Sequence, residues 1–183
     1  LPIKRFRVAT NQNDVLHKLF SSGEYSFSPV IQSLAPSMDI QVASNFERLL
    51  YFILEGDSEK LRKVMSRIGN EGKYCFEDFS LDGFASSSVS DREIPEIIRD
   101  VMDKYNYLVD PHTACAFKDL NPAEKYVILA TAHPAKFPMV YEKAGLSRPV
   151  SGVLESLKKN KMTKYKVGSS ASDIRSFIES EIG

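Results

Sequence analysis

The chain has 183 residues, enough for one domain with a real core. Its 24 basic and 24 acidic residues cancel, so net charge draws it neither to nucleic acid nor to an anionic membrane surface. No apolar run approaches the length of a membrane span, and the two cysteines, Cys75 and Cys115, fit no zinc or redox spacing, which points to a reduced, cytosolic protein without a metal site.

The start on Leu1-Pro2-Ile3, apolar and without an initiator methionine, suggests a chain cut from something longer. Residues 3–9 alternate loosely and predict a strand, followed by the polar turn Thr10-Asn11-Gln12-Asn13-Asp14 as a helix N-cap region. Val15, Leu16, Leu19 and Phe20 then line one face of a short helix that ends before Gly23. After a less regular stretch with a polar patch at Ser37-Met38-Asp39, Ser44 and Glu47 have the spacing of a capping box. Phe46, Leu49, Leu50 and Ile53 give that helix its apolar face. Asp57 is placed to cap the next helix, with Leu61, Val64, Met65 and Ile68 at helical spacing. Residues 70–89, with Gly72, Gly83 and a serine run at 86–88, read as loop with a short structured piece.

The clearest helix begins at Ser90, where Ser90 and Glu93 repeat the capping-box spacing, and Ile94, Ile97, Ile98, Val101, Met102 and Tyr105 make one continuous core stripe. A short apolar piece then ends in the polar turn Asp110-Pro111-His112-Thr113. The run Tyr126 to Ala130 has the length and composition of a buried strand, and it stops at Thr131-Ala132-His133-Pro134, where the proline suits the first turn of a helix. This repeats the strand, polar turn, helix plan of residues 3–20, which predicts two parallel strands with their polar ends on one edge. In open α/β sheets ligands sit at that edge, so Thr131 and His133 are candidates for chemistry, beside the plainer reading of a turn with a capping threonine. The tail carries a helix near 149–158, an edge strand at Tyr165-Lys166-Val167 and a last amphipathic helix with Ile174, Phe177 and Ile178.

No Gly-rich phosphate loop, nucleophile elbow or His/Glu metal pair is found. His17 reads as a surface or boundary histidine, while His112 and His133 each lie next to a proline in a polar turn. Four segments carry a resemblance: Ala9-Thr10-Asn11-Gln12-Asn13-Asp14; Pro36-Ser37-Met38-Asp39-Ile40 with Ser44-Asn45-Phe46-Glu47-Arg48; Asp110-Pro111-His112-Thr113-Ala114; and Ile128 to Phe137. In this order and at this spacing they resemble threonine synthases, over essentially the whole chain.

The resemblance implies an α/β fold, part of the large domain of a fold-type-II pyridoxal-phosphate enzyme, with a mostly parallel sheet flanked by helices. It implies cytoplasmic conversion of O-phospho-L-homoserine and water into L-threonine and phosphate. In that family a lysine forms a Schiff base with pyridoxal 5'-phosphate and a separate loop holds its phosphate. Both lie N-terminal to the matched region, so residues 1–183 are expected to be a C-terminal portion that needs the N-terminal part and is inactive alone. Lys136 is not that lysine. Thr131 matches the threonine that faces the pyridine nitrogen. Ser37, Asp39, Asn45 and Arg48 are implied on the substrate side, Arg48 as a clamp for phosphate or carboxylate. His112 and Lys136 are implied close to the cofactor ring, and His133 belongs to the same group of candidates. Asn11, Asn13 and Asp14 either order the site or cap the helix, capping being favoured. A phospho-lyase acting on a related phosphorylated amino acid, and a non-catalytic interaction module, are the alternatives.

Overall fold

The computed structural model describes residues 2–77 and 82–182. They divide into two compact units, 1–149 and 150–183. In the first unit, β1 (Phe6–Asn11) runs into α1 (Val15–Ser22), and β4 (Phe84–Val89) runs into α4 (Glu93–Tyr105). The two strands pair in parallel, Phe6 opposite Phe84 and Asn11 opposite Val89, so both carboxyl ends lie on one edge. A shared polar edge between two strand-turn-helix units is therefore present, but its second strand is 84–89. The segment 126–131, expected to be that strand, has no ladder partner among the described residues, and Val127 and Leu129 are 85% and 77% exposed. Hydrophobic patterning reports which side chains seek cover, and it does not report which backbone finds a partner.

Residues 70–89 are more ordered than their composition predicts. A short antiparallel pair joins β2 (Glu24–Ser26) to β3 (Lys73–Cys75), and β4 follows; residues 78–81 lie outside the described residues. Strand β4 escapes pattern reading because its side chains pair with polar groups. Ser88 Oγ donates to the Asn11 carbonyl (2.9 Å) and Ser86 Oγ meets His17 Nδ1 (2.9 Å).

Two apolar clusters hold the unit together. One centres on Val89, Ile94, Ile98, Val101, Val140 and Tyr141, and the other on Val15, Leu19, Tyr25, Phe46, Leu50 and Ile68. The α4 stripe is core as predicted at Ile94, Ile98 and Val101, whereas Tyr105 is exposed. Buried tyrosines keep their hydroxyls satisfied: Tyr25 Oη donates to the Gln41 carbonyl and accepts from Ala43 N–H, both at 3.0 Å.

The helix starts follow local chemistry, with two departures. Asp57 caps α3 (Ser58–Glu71) by accepting from the Glu59 and Lys60 amides. Gly23 and Gly72 close α1 and α3 in the left-handed region, at φ 74° and 67°. At α2 (Ser44–Ile53), however, the cap position is Ala43, whose amide is held by Tyr25 Oη, and Ser44 is already helical, so no capping box forms. At α4 only the reverse half of the box is made: Ser90 donates through N–H (2.9 Å) and Oγ (2.7 Å) to Glu93 Oε2. The Glu93 carboxyl is held down at about 2, first by the hydrogen bond from Lys118 and then by those from Ser90.

Three shorter helices follow: α5 (Pro111–Ala114), α6 (Pro138–Lys143) and, in the second unit, α7 (Gly152–Leu157), before the last helix α8 (Ala171–Ile182). The tail segment 165–167 is not a strand; the Tyr165 ring packs on Phe177 of α8 at 5.2 Å. Cys75 is exposed and Cys115 buried, both free, and burial pushes the Cys115 thiol up to about 12. Among the described residues no helix is long and apolar enough to cross a membrane.

Candidate functional site

The carboxyl end of β1 carries two buried amides with nothing apolar to pack, and both reach across to the loop 31–39. Asn11 Nδ2 donates to Asp39 Oδ1 and to Ser33 Oγ, each at 2.7 Å. Asn13 Nδ2 donates to the same Asp39 oxygen at 2.9 Å and to the Ile31 carbonyl at 2.8 Å. Ser33 completes the set, its hydroxyl donating to Asp39 Oδ1 (2.6 Å) and its amide to Oδ2 (2.9 Å). A carboxylate that accepts from three side chains and a backbone amide is a fixed anchor. Asn11 and Asn13 therefore order the loop and do not cap α1, where the favoured reading had placed them. Asp14 stands at the cap position without a side-chain cap bond and forms an ion pair with Lys18 at 2.9 Å.

A second carboxylate lies at the start of α5. Asp110, 1% exposed, precedes Pro111, the signature of a helix start, and its Oδ1 accepts from the His112 amide (2.9 Å). The same carboxylate meets His112 Nδ1 at 2.8 Å and takes the hydroxyl proton of Thr113 in a short hydrogen bond. Burial alone raises the Asp110 carboxyl, but the side-chain hydrogen bonds of His112 and Thr113 and the two backbone amides outweigh it and hold the group below its ordinary value. His112 Nε2 accepts from the Ser37 amide at 3.0 Å, so this nitrogen carries no proton and Nδ1 is the donor to Asp110. The ring packs edge-on against Phe137, centroids 4.7 Å apart.

Thr113 extends the chain of hydrogen bonds to Thr131. Its Oγ1 accepts from the Thr131 amide at 3.1 Å and lies 3.4 Å from the Thr131 hydroxyl. Thr131 is an exposed residue on a backbone that is tied down. All four sequence segments are thus joined by hydrogen bonds. The 9–14 segment binds Asp39 of the 36–40 turn, that turn binds His112, and the 110–114 segment binds Thr131.

The remaining candidates lie outside this network. Ser37 takes part through its backbone, its side chain being exposed. Asn45 and Arg48 are exposed on α2, and among the described residues nothing holds the Arg48 guanidinium. His133 caps the turn Pro134–Lys136 by accepting from the Ala135 amide at Nδ1 (3.1 Å), so the cap is the histidine and not Thr131. Lys136 is exposed, and among the described residues no lysine amine is hydrogen-bonded into the network. Ser33, Asp110 and Thr113 do most of the joining and were not singled out by sequence. Asp110-Pro111 carried a readable signal as an N-cap; Ser33 carried none.

Residues 111–178 match the family described as threonine synthase, C-terminal. Threonine synthase of Pseudomonas aeruginosa is 37% identical over 157 residues, 81% of this chain and 34% of that protein. Human threonine synthase-like 2 is 34% identical over 160 residues, 80% of this chain and 33% of that protein. The crystal structure of PLP-bound threonine synthase from Brucella melitensis superposes with a TM-score of 0.80 at 32% identity, covering 98% of this chain and 41% of that one. The α/β architecture is accordingly that of part of the fold-type-II scaffold. The chain spans about a third of the length of the curated relatives it matches. By sequence and by fold alike, it is similar to part of the threonine synthases, with residues 111–178 matching their C-terminal family model.

Proposed function

We propose that this chain forms one wall of the active site of a pyridoxal-phosphate-dependent threonine synthase, a lyase acting on O-phospho-L-homoserine to give L-threonine and phosphate. The observation that supports it is the joining, through Asp39, His112 and Thr113, of four family segments that lie far apart in sequence. In this reading residues 1–183 are a C-terminal portion of the catalytic domain, and the N-terminal part of the same enzyme supplies the imine lysine and the phosphate loop.

The residues present fit one part of the cofactor. Thr131 offers the hydroxyl of an exposed residue on an anchored backbone, suited to the ring nitrogen of a flat heterocycle. When bound, the cofactor supplies the electron sink for carbanion chemistry at the substrate. This chain contributes position. Thr131 would face the ring nitrogen, and His112, its Nδ1–H held by Asp110 and its Nε2 by the Ser37 amide, supports the 36–38 turn and leaves neither nitrogen free to move a proton. Ser37, Asn45 and Arg48 present exposed polar groups toward a phosphorylated amino acid, with Arg48 suited to its phosphate or carboxylate. Asp39 stands behind them as the anchor of their loop, and Lys136 and His133 flank the Thr131 turn.

The test is product analysis with the enzyme that carries this chain and its N-terminal part, incubated with O-phospho-L-homoserine. Threonine and phosphate in equal amounts support the proposal. The second reading is a phospho-lyase acting on a related phosphorylated amino acid, for which phosphate appears without threonine.

A further inference from the structure

One buried carboxylate touches both sides of the candidate site. We propose that Thr113 and His112 are positioning residues through which Asp110 sets two things separately: Thr113 aims Thr131 at the cofactor, and His112 fixes the 36–38 turn at the substrate. This rests on the reading above that Thr131 meets the cofactor ring.

The inventory of protons makes the assignment directional. Thr113 has one hydroxyl proton, and it goes to the Asp110 carboxylate. Toward Thr131 the Thr113 oxygen can therefore only accept: it takes the backbone N–H at 3.1 Å and lies 3.4 Å from the Thr131 hydroxyl, so one buried oxygen fixes both the backbone and the side-chain oxygen of Thr131. His112 is likewise oriented by Asp110 at Nδ1, which makes Nε2 the acceptor that the Ser37 amide needs. Asp110, Thr113 and His112 are buried, and their partners Thr131 and Ser37 are exposed. A rigid buried base with two exposed ends is the arrangement that holds reacting groups to a fixed geometry.

The experiment uses the assembled enzyme, with pyridoxal phosphate affinity and its visible absorption band read beside kcat and KM for O-phospho-L-homoserine. Thr113→Val is expected to weaken cofactor affinity about tenfold and to move the band, while Thr113→Ser restores both. Thr113→Ala replaces the valine variant if that one lowers the unfolding temperature. His112→Phe keeps a ring beside Phe137 but loses the acceptor; it is expected to raise KM about tenfold with the band unchanged, and His112→Gln, which returns an acceptor near Nε2, to restore KM. Equal movement of all readouts in both variants overturns the separation of roles. A wild-type band and affinity in Thr113→Val, with both altered in Thr131→Val, overturns the proposal while the Thr131 reading stands. If Thr131→Val itself leaves band and affinity unchanged, the Thr131 reading fails and the proposal with it.

Discussion

Thr131 gains its importance from what anchors it. Its amide is bound by Thr113 and the residue is exposed, so replacing it changes a surface group on a fixed support. Thr131→Val keeps the shape and removes the hydroxyl, which under the proposed function would leave the cofactor's ring nitrogen without a partner. A neutral hydrogen bond is worth about 0.5–1.5 kcal/mol and an unsatisfied buried group costs about 1–3 kcal/mol. The expected outcome in the assembled enzyme is a loss of turnover of about tenfold or more with weaker cofactor retention, and near-normal activity for Thr131→Ser, measured as phosphate release. The sequence alone singled out Thr131 by its place after an apolar run. It did not disclose Thr113, because a threonine inside a helical turn looks the same whether it back-bonds locally or reaches a residue 18 positions away. Asp39 was implied only as a substrate-side residue; its role as an anchor was hidden, since two of its four donors, Asn11 and Asn13, come from a segment whose meeting with this loop is decided by the fold.

At the level of elements, α4 was the most legible and β4 the least. The α4 stripe repeats every three to four residues and is buried at Ile98 to 0% exposure, so Ile98→Ala should cost about 2–5 kcal/mol in unfolding free energy, read from denaturant midpoints. Its start carries a pH dependence with a definite sign. The Glu93 carboxyl, at about 2, lies below its ordinary 4.5, so the folded state holds fewer protons between these values than the unfolded state does. The stabilisation is fully present above about pH 4.5 and is lost as pH falls toward 2. Glu93→Gln is therefore expected to unfold more easily than wild type at pH 7, with the gap closing on acidification; urea midpoints at pH 7 and pH 3 check this. A gap that stays constant would mean that Lys118 and Ser90 act on Glu93 without regard to its charge. Strand β4 was missed because Ser86, Ser87 and Ser88 supply no apolar alternation, and only its parallel register with β1 shows that it is a strand.

For the whole molecule the decisive feature is the segment that looks like a strand and has no partner. Tyr126, Val127 and Leu129 are 38%, 85% and 77% exposed, and no ladder forms along 126–131 among the described residues. Exposed apolar side chains on a segment that joins no ladder invite another chain to pair. The zero net charge removes the repulsion that would oppose it. Two outcomes are expected of the purified 183-residue chain. It releases no phosphate from O-phospho-L-homoserine, because among the described residues no lysine amine joins the Asp110–Thr131 network. It also self-associates as its concentration rises, seen in sedimentation velocity. Leu129→Lys places a charge on the exposed segment without touching the hydrogen bond from the Thr131 amide to Thr113 Oγ1, and should shift the distribution toward monomer. A wild-type chain that stays monomeric at high concentration would show that backbone and side chains at 126–131 are satisfied by water, and that their apolar character serves contacts made within the assembled enzyme alone.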